Sequence, residues 1–106
     1  VYLRLRSPQV PYRWQERLQT AIEAARGLAH LHKLRPEIFH QNIKSANILF
    51  SRDGTAKIAD FGLACVARVR DELYSSVHVP VGTPGYGAPE YASTNRVTEA
   101  CEVYSM

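Results

Sequence analysis

Cysteine is scarce in this sequence, which contains only Cys65 and Cys101 among its 106 residues. Neither belongs to a Cys-x-x-Cys pair, and the chain has no His-x-x-x-His pair, so the spacings typical of a zinc site are missing. Two cysteines also cannot build the disulfide framework of a small secreted domain. We therefore expect free thiols in a reducing compartment, and no zinc site.

Long apolar runs are missing as well. No run approaches the roughly 20 residues of a membrane-spanning helix, and the first residues lack a signal-peptide pattern. Lysine is limited to Lys33, Lys44 and Lys57, so the net charge of +3 rests mainly on arginine. The arginines form no basic stripe interleaved with aromatic residues. We expect neither a membrane segment nor a nucleic-acid partner.

The remaining composition, 45% hydrophobic and 22% charged, is typical of a globular protein with at most one domain. Its clearest local pattern predicts an amphipathic helix over 13–33 that ends before Pro36. Gly27 inside this helix costs about 1 kcal/mol relative to Ala, which predicts close packing against a neighbour. The predicted apolar face consists of Trp14, Leu18, Ile22, Ala25, Leu28 or Ala29, and His32.

Short strands are predicted after Pro36. Residues 38–40 and 48–50 are segments of strand length rich in apolar residues, and residues 51–55 have turn chemistry. Residues 56–59 then return as the second arm of a hairpin.

The ends of the chain and its long middle segment are less regular. Residues 1–6 are compatible with either a strand or a helix. From Gly62 to Tyr91 the chain is polar, bears glycine and proline and lacks sustained periodicity, and a loop of this length is usually functional. Thr98 is the predicted N-cap of a final helix over 98–106.

Three polar residues occur at a spacing that suits phosphoryl transfer. This chemistry needs metal ions on the phosphates, a positive charge near the transferred group and a group that orients the attacking hydroxyl. Asp60 offers a carboxylate to Mg²⁺, and Asn47 offers a carbonyl oxygen to a second metal ion. Lys44 would contact the transferred phosphate. The spacing matches the catalytic loop and the Asp-Phe-Gly motif of protein kinases.

Asn42 occupies the position of the catalytic base in this spacing. An amide can donate a hydrogen bond to a substrate hydroxyl, but it cannot accept the proton. General-base assistance is worth roughly 10²–10⁴ in rate, so we expect a severe loss of transfer. Gln41 replaces an arginine that docks a phosphorylated activation loop in many kinases, and an uncharged amide cannot pair with phosphate in that way.

The motifs resemble those of plant receptor-like kinases and their animal relatives of the Pelle type. The resemblance covers residues 12–106 and rests on Trp14-x-x-Arg17-Leu18, Ala25-Arg26-Gly27-Leu28-Ala29-His30-Leu31-His32, Ile43-Lys44-Ser45-Ala46-Asn47-Ile48-Leu49, Lys57-Ile58-Ala59-Asp60-Phe61-Gly62-Leu63-Ala64 and Gly82-Thr83-Pro84-Gly85-Tyr86-Gly87-Ala88-Pro89-Glu90-Tyr91. Lys44 together with Thr83 resembles the serine/threonine class.

The resemblance implies an α+β, protein-kinase-like fold, of which this chain is the central part of the large C-terminal lobe. It implies Mg–ATP as cofactor, a protein or peptide substrate or a scaffold partner, and a location on the cytoplasmic side. The implied regions are helix E (12–34), the catalytic-loop region (38–50), the activation segment (60–90) and the start of helix F (98–106).

Several site residues are assigned by resemblance alone. Phosphorylation is expected at Ser75, Ser76 or Thr83, and structural roles are expected for His40, Phe61, Gly62, Glu90 and Glu102. Glu102 stands where the family has an Asp that braces the catalytic loop, and we expect its extra methylene to weaken the brace. Glu90 lacks its usual arginine partner in this sequence, so we expect an unpaired, partly buried charge. His30, His32 and His78 form no cluster in the sequence.

The Gly-rich loop, the strand lysine and the helix C glutamate of kinases are all missing from this sequence. We therefore expect no transfer by the chain alone and weak binding of Mg–ATP. Three interpretations stay open. The parent domain is an impaired serine/threonine kinase, a pseudokinase that serves as a scaffold, or a truncated gene product without function.

Overall fold

The computed structural model describes residues 1–67 and 82–106, and it shows helices combined with small antiparallel sheets. The helices are α1 (Tyr2–Arg6), α2 (Trp14–Lys33), α3 (Pro89–Thr94) and α4 (Glu99–Ser105). The strands are β1 (Ile38–Phe39), β2 (Ile48–Phe50), β3 (Ala56–Ile58) and β4 (Cys65–Val66). Among these residues no helix is long and apolar enough to cross a membrane.

Helix α2 is the longest element, and it lies where the sequence predicts a helix. At its start, the Glu16 carboxylate accepts a hydrogen bond from the backbone N–H of Arg13 at 2.8 Å, which satisfies a free donor. At its end, Leu34 is extended, as expected close to Pro36. Its buried residues are Thr20, Ala24 and Leu28.

The apolar face predicted for α2 is largely not the buried one. Trp14 is 69% exposed, Leu18 52% and Ile22 38%, whereas Ala24 is only 1% exposed. Periodicity shows which side chains share a helix face, but it does not show which face a neighbouring element covers. In the described residues, the β2–β3 hairpin covers the side with the small residues, where Ala24 packs against Ile48 and Ala56.

Gly27 also faces this hairpin, as close packing predicted. A methyl group at Gly27 would lie 3.4 Å from Cδ1 of Ile58, an ordinary contact distance. The close neighbour is therefore present, and it leaves room for an alanine side chain.

The hairpin has the predicted position, with Ile48 opposite Ile58 and Phe50 opposite Ala56. One carboxylate oxygen of Glu23 in α2 accepts a hydrogen bond from the backbone N–H of Ala56 at 2.7 Å. This bond, followed by one from Gln19, lowers the pKa of Glu23. The hairpin is thereby tied to the helix.

The turn of the hairpin is expected to be sensitive to acid. The Ser51 hydroxyl, followed by Thr55, donates hydrogen bonds to Asp53 and lowers its pKa from 3.8 to about 2. Because the pKa is lowered in the folded state, the stabilisation is complete above pH 4 and is lost as the pH falls towards 2. Ser51→Ala should move the pKa of Asp53 back up, as measured by NMR titration of its side chain. Arg52→Ala is the control, and an equal shift in both variants would contradict this assignment.

Strand β4 lies inside the segment that showed no periodicity, and helix α3 begins at its end. Ile38 pairs with Val66 and Phe39 with Cys65, so β1 and β4 form a second small sheet. A two-residue strand is too short to give an alternating pattern. At the other end of the chain, the predicted cap is present: the Thr98 hydroxyl accepts a hydrogen bond from the backbone N–H of Cys101 at 3.3 Å at the start of α4.

Candidate functional site

The segment after β1 begins with His40, which is completely buried. Its Nε2 donates to the carbonyl oxygen of Ala59 at 3.1 Å, and its Nδ1 accepts from the backbone N–H of Asn42 at 3.2 Å. The neutral imidazole with its proton on Nε2 satisfies both contacts. The ring also meets the edge of Phe61, with ring centroids 4.9 Å apart. With both nitrogens engaged, His40 joins the loop to the segment before Phe61.

Gln41 has a backbone φ of 63°, a conformation that is uncommon for residues other than glycine. Its backbone N–H donates to a carboxylate oxygen of Glu102 at 2.6 Å. The other oxygen of Glu102 lies 2.7 Å from Nε2 of His32 in α2. Glu102 is only 4% exposed, so this bridge is buried.

Glu102 therefore contacts the loop despite its extra methylene. The longer side chain reaches the Gln41 backbone and, in addition, the His32 ring. The sequence assigned no role to His32, but the structure places it in contact with Glu102. The two residues are 70 positions apart, so no local spacing indicates their contact.

Asn42 lies at the centre of the polar network, and its side-chain amide is bound at both ends. Nδ2 donates to a carboxylate oxygen of Asp60 at 3.3 Å, and Oδ1 accepts from the Thr83 hydroxyl at 2.9 Å. The Thr83 oxygen in turn accepts from Lys44 Nζ at 2.8 Å. Because lysine can only donate, the direction of these hydrogen bonds is fixed: Lys44 donates to Thr83, Thr83 to Asn42, and Asn42 to Asp60.

Asn47 joins the same group from the other side. It is buried, and its Nδ2 donates to the backbone carbonyl of Asn42 at 2.9 Å. Its side-chain oxygen and the exposed carboxylate of Asp60 are hard oxygen donors, the type that Mg²⁺ prefers. Asp60 has a backbone φ of 69°, and a side chain at Gly62 would meet its Oδ1 at 3.4 Å. The donor set at this site therefore fits a magnesium ion.

The stretch from Gly82 to Ala88 packs against the loop. A Cβ atom at Gly82, where φ is 124°, would lie 3.3 Å from the Gln41 carbonyl oxygen. The Tyr86 hydroxyl is 3.0 Å from the Ser45 hydroxyl, and the Tyr86 carbonyl accepts from the Ser105 hydroxyl at 2.8 Å. These contacts give Tyr86 a packing role.

Among the three predicted phosphorylation positions, Thr83 is half-buried and its hydroxyl is engaged on both sides. Ser75 and Ser76 lie outside the described residues.

One further expectation concerns the charge of Glu90. Glu90 was expected to be partly buried and unpaired, but it is exposed, and its carboxylate lies 3.8 Å from the Cys101 thiol. An exposed carboxylate stays hydrated, so the expected burial cost does not arise.

The Gln41 side chain donates from Nε2 to the Cys65 sulfur at 2.6 Å, while its Oε1 is buried without a partner in the part of the chain that the structure describes.

Comparisons with known proteins agree with the motifs. The model of the protein kinase domain family matches residues 4–106. Probable serine/threonine-protein kinase PBL22 of Arabidopsis thaliana is 42% identical over 103 residues, which are 96% of this chain and 27% of that protein. Probable serine/threonine-protein kinase PBL4 of the same plant is 44% identical over 96 residues, or 91% of this chain and 23% of that protein.

A receptor-like protein kinase of Arabidopsis thaliana is 48% identical over 95 residues, which are 89% of this chain and 11% of that protein. The chain thus spans about a quarter or less of the length of these curated relatives.

Proposed function

This chain belongs to the protein kinase family, and from that premise we propose that its parent domain is a serine/threonine-kinase-like domain impaired at the proton-transfer step. One observation carries the proposal. Asn42, at the position of the base, is an amide whose two ends are bound to Asp60 and Thr83. It holds these groups together without offering a site for the substrate proton.

Each residue of the network has a role in this proposal. Bound Mg–ATP would supply the phosphoryl group and neutralise charge on its oxygens. Asp60 and Asn47 would hold the metal, and the ammonium of Lys44 would offset negative charge near the transferred group. Asn42 would orient a serine or threonine hydroxyl by a hydrogen bond, and the proton would have to leave to solvent. The expected result is transfer roughly 10²–10⁴-fold slower than with a carboxylate base.

A second function, that of a pseudokinase scaffold, is favoured by the closure of the same network. Hydrogen bonds join Lys44 to Thr83, Thr83 to Asn42 and Asn42 to Asp60. A site whose polar groups are already paired can serve as a fixed framework for a protein partner. Phosphoryl transfer separates the two functions.

The test uses the complete parent domain. Calorimetry measures its Mg²⁺-dependent ATP binding, and phosphate incorporation into a mixture of serine and threonine peptides measures transfer. Impaired catalysis predicts saturable ATP binding with slow, measurable transfer. Asp60→Asn should abolish the dependence of both on Mg²⁺. Binding without any transfer, or no binding, would overturn impaired catalysis in favour of the scaffold. The 106-residue chain alone should show no transfer, because most of the nucleotide-binding half is missing from this sequence.

A further inference from the structure

A second group of ligating side chains lies apart from the Asn42 network, where α2, β1 and α4 approach one another. It consists of His32 near the end of α2, Glu37 immediately before β1 and Glu99, the first residue of α4. One ligand atom from each of the three lies within 4.8 Å of the other two. Three segments far apart in sequence thus bring one imidazole and two carboxylates together.

We propose that His32, Glu37 and Glu99 bind a divalent transition-metal ion, with Zn²⁺ as the best match. A nitrogen and two carboxylate oxygens are donors that zinc accepts, whereas Mg²⁺ and Ca²⁺ favour oxygen alone. Three protein ligands leave one position for water. The sequence predicted no zinc site because that expectation rested on local Cys and His spacing, and these ligands follow none.

The surroundings of His32 support this assignment. Metal-binding histidines almost always donate their second ring nitrogen to a carboxylate or a carbonyl group, which fixes the orientation of the ring. In this structure Nε2 of His32 lies 2.7 Å from Glu102, and the His32 side chain is only 10% exposed. With Nε2 donating to Glu102, Nδ1 is the ring nitrogen that can offer a lone pair to a metal ion. Glu102 would be the orienting carboxylate.

The two carboxylates provide a second, independent indication. Oε1 of Glu37 is buried and accepts no hydrogen bond from any residue within 1–67 or 82–106. A bound cation would give the buried oxygen a partner and offset the repulsion between the carboxylates. Glu99 is exposed, so the ion has a path from solvent.

A metal ion at this site would connect the helices to the catalytic-loop segment. It would hold the end of α2 to the start of α4, and Glu102 would continue the connection from His32 to the Gln41 backbone. The site shares no residue with the Asp60 and Asn47 pair, so its occupancy can be tested without nucleotide.

The experiment is a titration of the full chain with Zn²⁺ by calorimetry and with Co²⁺ by visible absorption. We expect one saturable site per chain, and Glu99→Gln should weaken Zn²⁺ binding about tenfold or more, since even outer partners of metal ligands are worth that much. Glu99 is exposed, so this variant should retain the fold, which circular dichroism checks. The matched control is Glu90→Gln, because Glu90 is an exposed carboxylate on α3. This variant should bind Zn²⁺ as the original chain does.

Three results would overturn the proposal. They are the lack of saturable binding, equal affinity in Glu99→Gln and Glu90→Gln, and a thiolate-to-cobalt charge-transfer band. The last of these would place the ion on Cys65 or Cys101 instead.

Discussion

Asn42→Asp in the complete parent domain is expected to raise phosphoryl transfer to a serine or threonine peptide by roughly 10²–10⁴-fold, the usual worth of a general base. The new carboxylate would lie where the amide now binds Asp60 and Thr83. It would still accept from the Thr83 hydroxyl, and it would gain the capacity to accept the substrate proton. The measurement is the single-turnover rate at saturating Mg–ATP.

The same substitution is expected to introduce repulsion with Asp60. Asn42 now donates to Asp60, whereas an aspartate would face it as a second negative charge. The variant should therefore depend more steeply on Mg²⁺ than the original domain, because only a cation would offset the repulsion. Asn42→Ala is the matched control, since it removes the amide without adding a base. Equal rates for the Asp and Ala variants would show that the amide is not what limits transfer.

Glu102→Ala is expected to have the largest effect on stability, lowering the free energy of unfolding by about 3 kcal/mol. The substitution removes the acceptor of the Gln41 backbone N–H and the partner of His32, and both contacts are buried. Urea denaturation followed by circular dichroism measures the loss. Val103→Ala on the same helix is the control, because Val103 is 63% exposed and should lose little.

Glu102→Asp tests the reach of the side chain. An aspartate should keep the contact with the Gln41 backbone but lose the one with His32, so its stability should fall between those of Glu102 and Ala. If the Asp variant were as stable as the original chain, the His32 contact would contribute nothing.

Local signals in the sequence predict the regular elements well. Helix α2, the β2–β3 hairpin and the Thr98 cap each depend on residues within a few positions of one another. Strand β4 and helix α3 are too short for a periodic pattern, so nothing local indicated them. The buried face of α2 depends on which element covers it, and periodicity carries no such information.

The candidate site divides in the same way. The spacing of Lys44, Asn47 and Asp60 around Asn42 predicts which residues take part, but not how they are bonded. Only the structure assigns Thr83 as the link between Lys44 and Asn42. The bridge from His32 to Glu102 depends on the packing of α2 against α4, which no motif expresses.

The exposed apolar face of α2 has a consequence for how this chain behaves in solution. Trp14, Leu18 and Ile22 together place a stripe of indole and aliphatic surface on one side of the longest helix. Surfaces of this kind favour association. Association stabilises the folded form by mass action, so a melting temperature measured on the chain will rise with its concentration. Variants should therefore be compared at one fixed, low concentration, at which differences in stability reflect the substituted side chain.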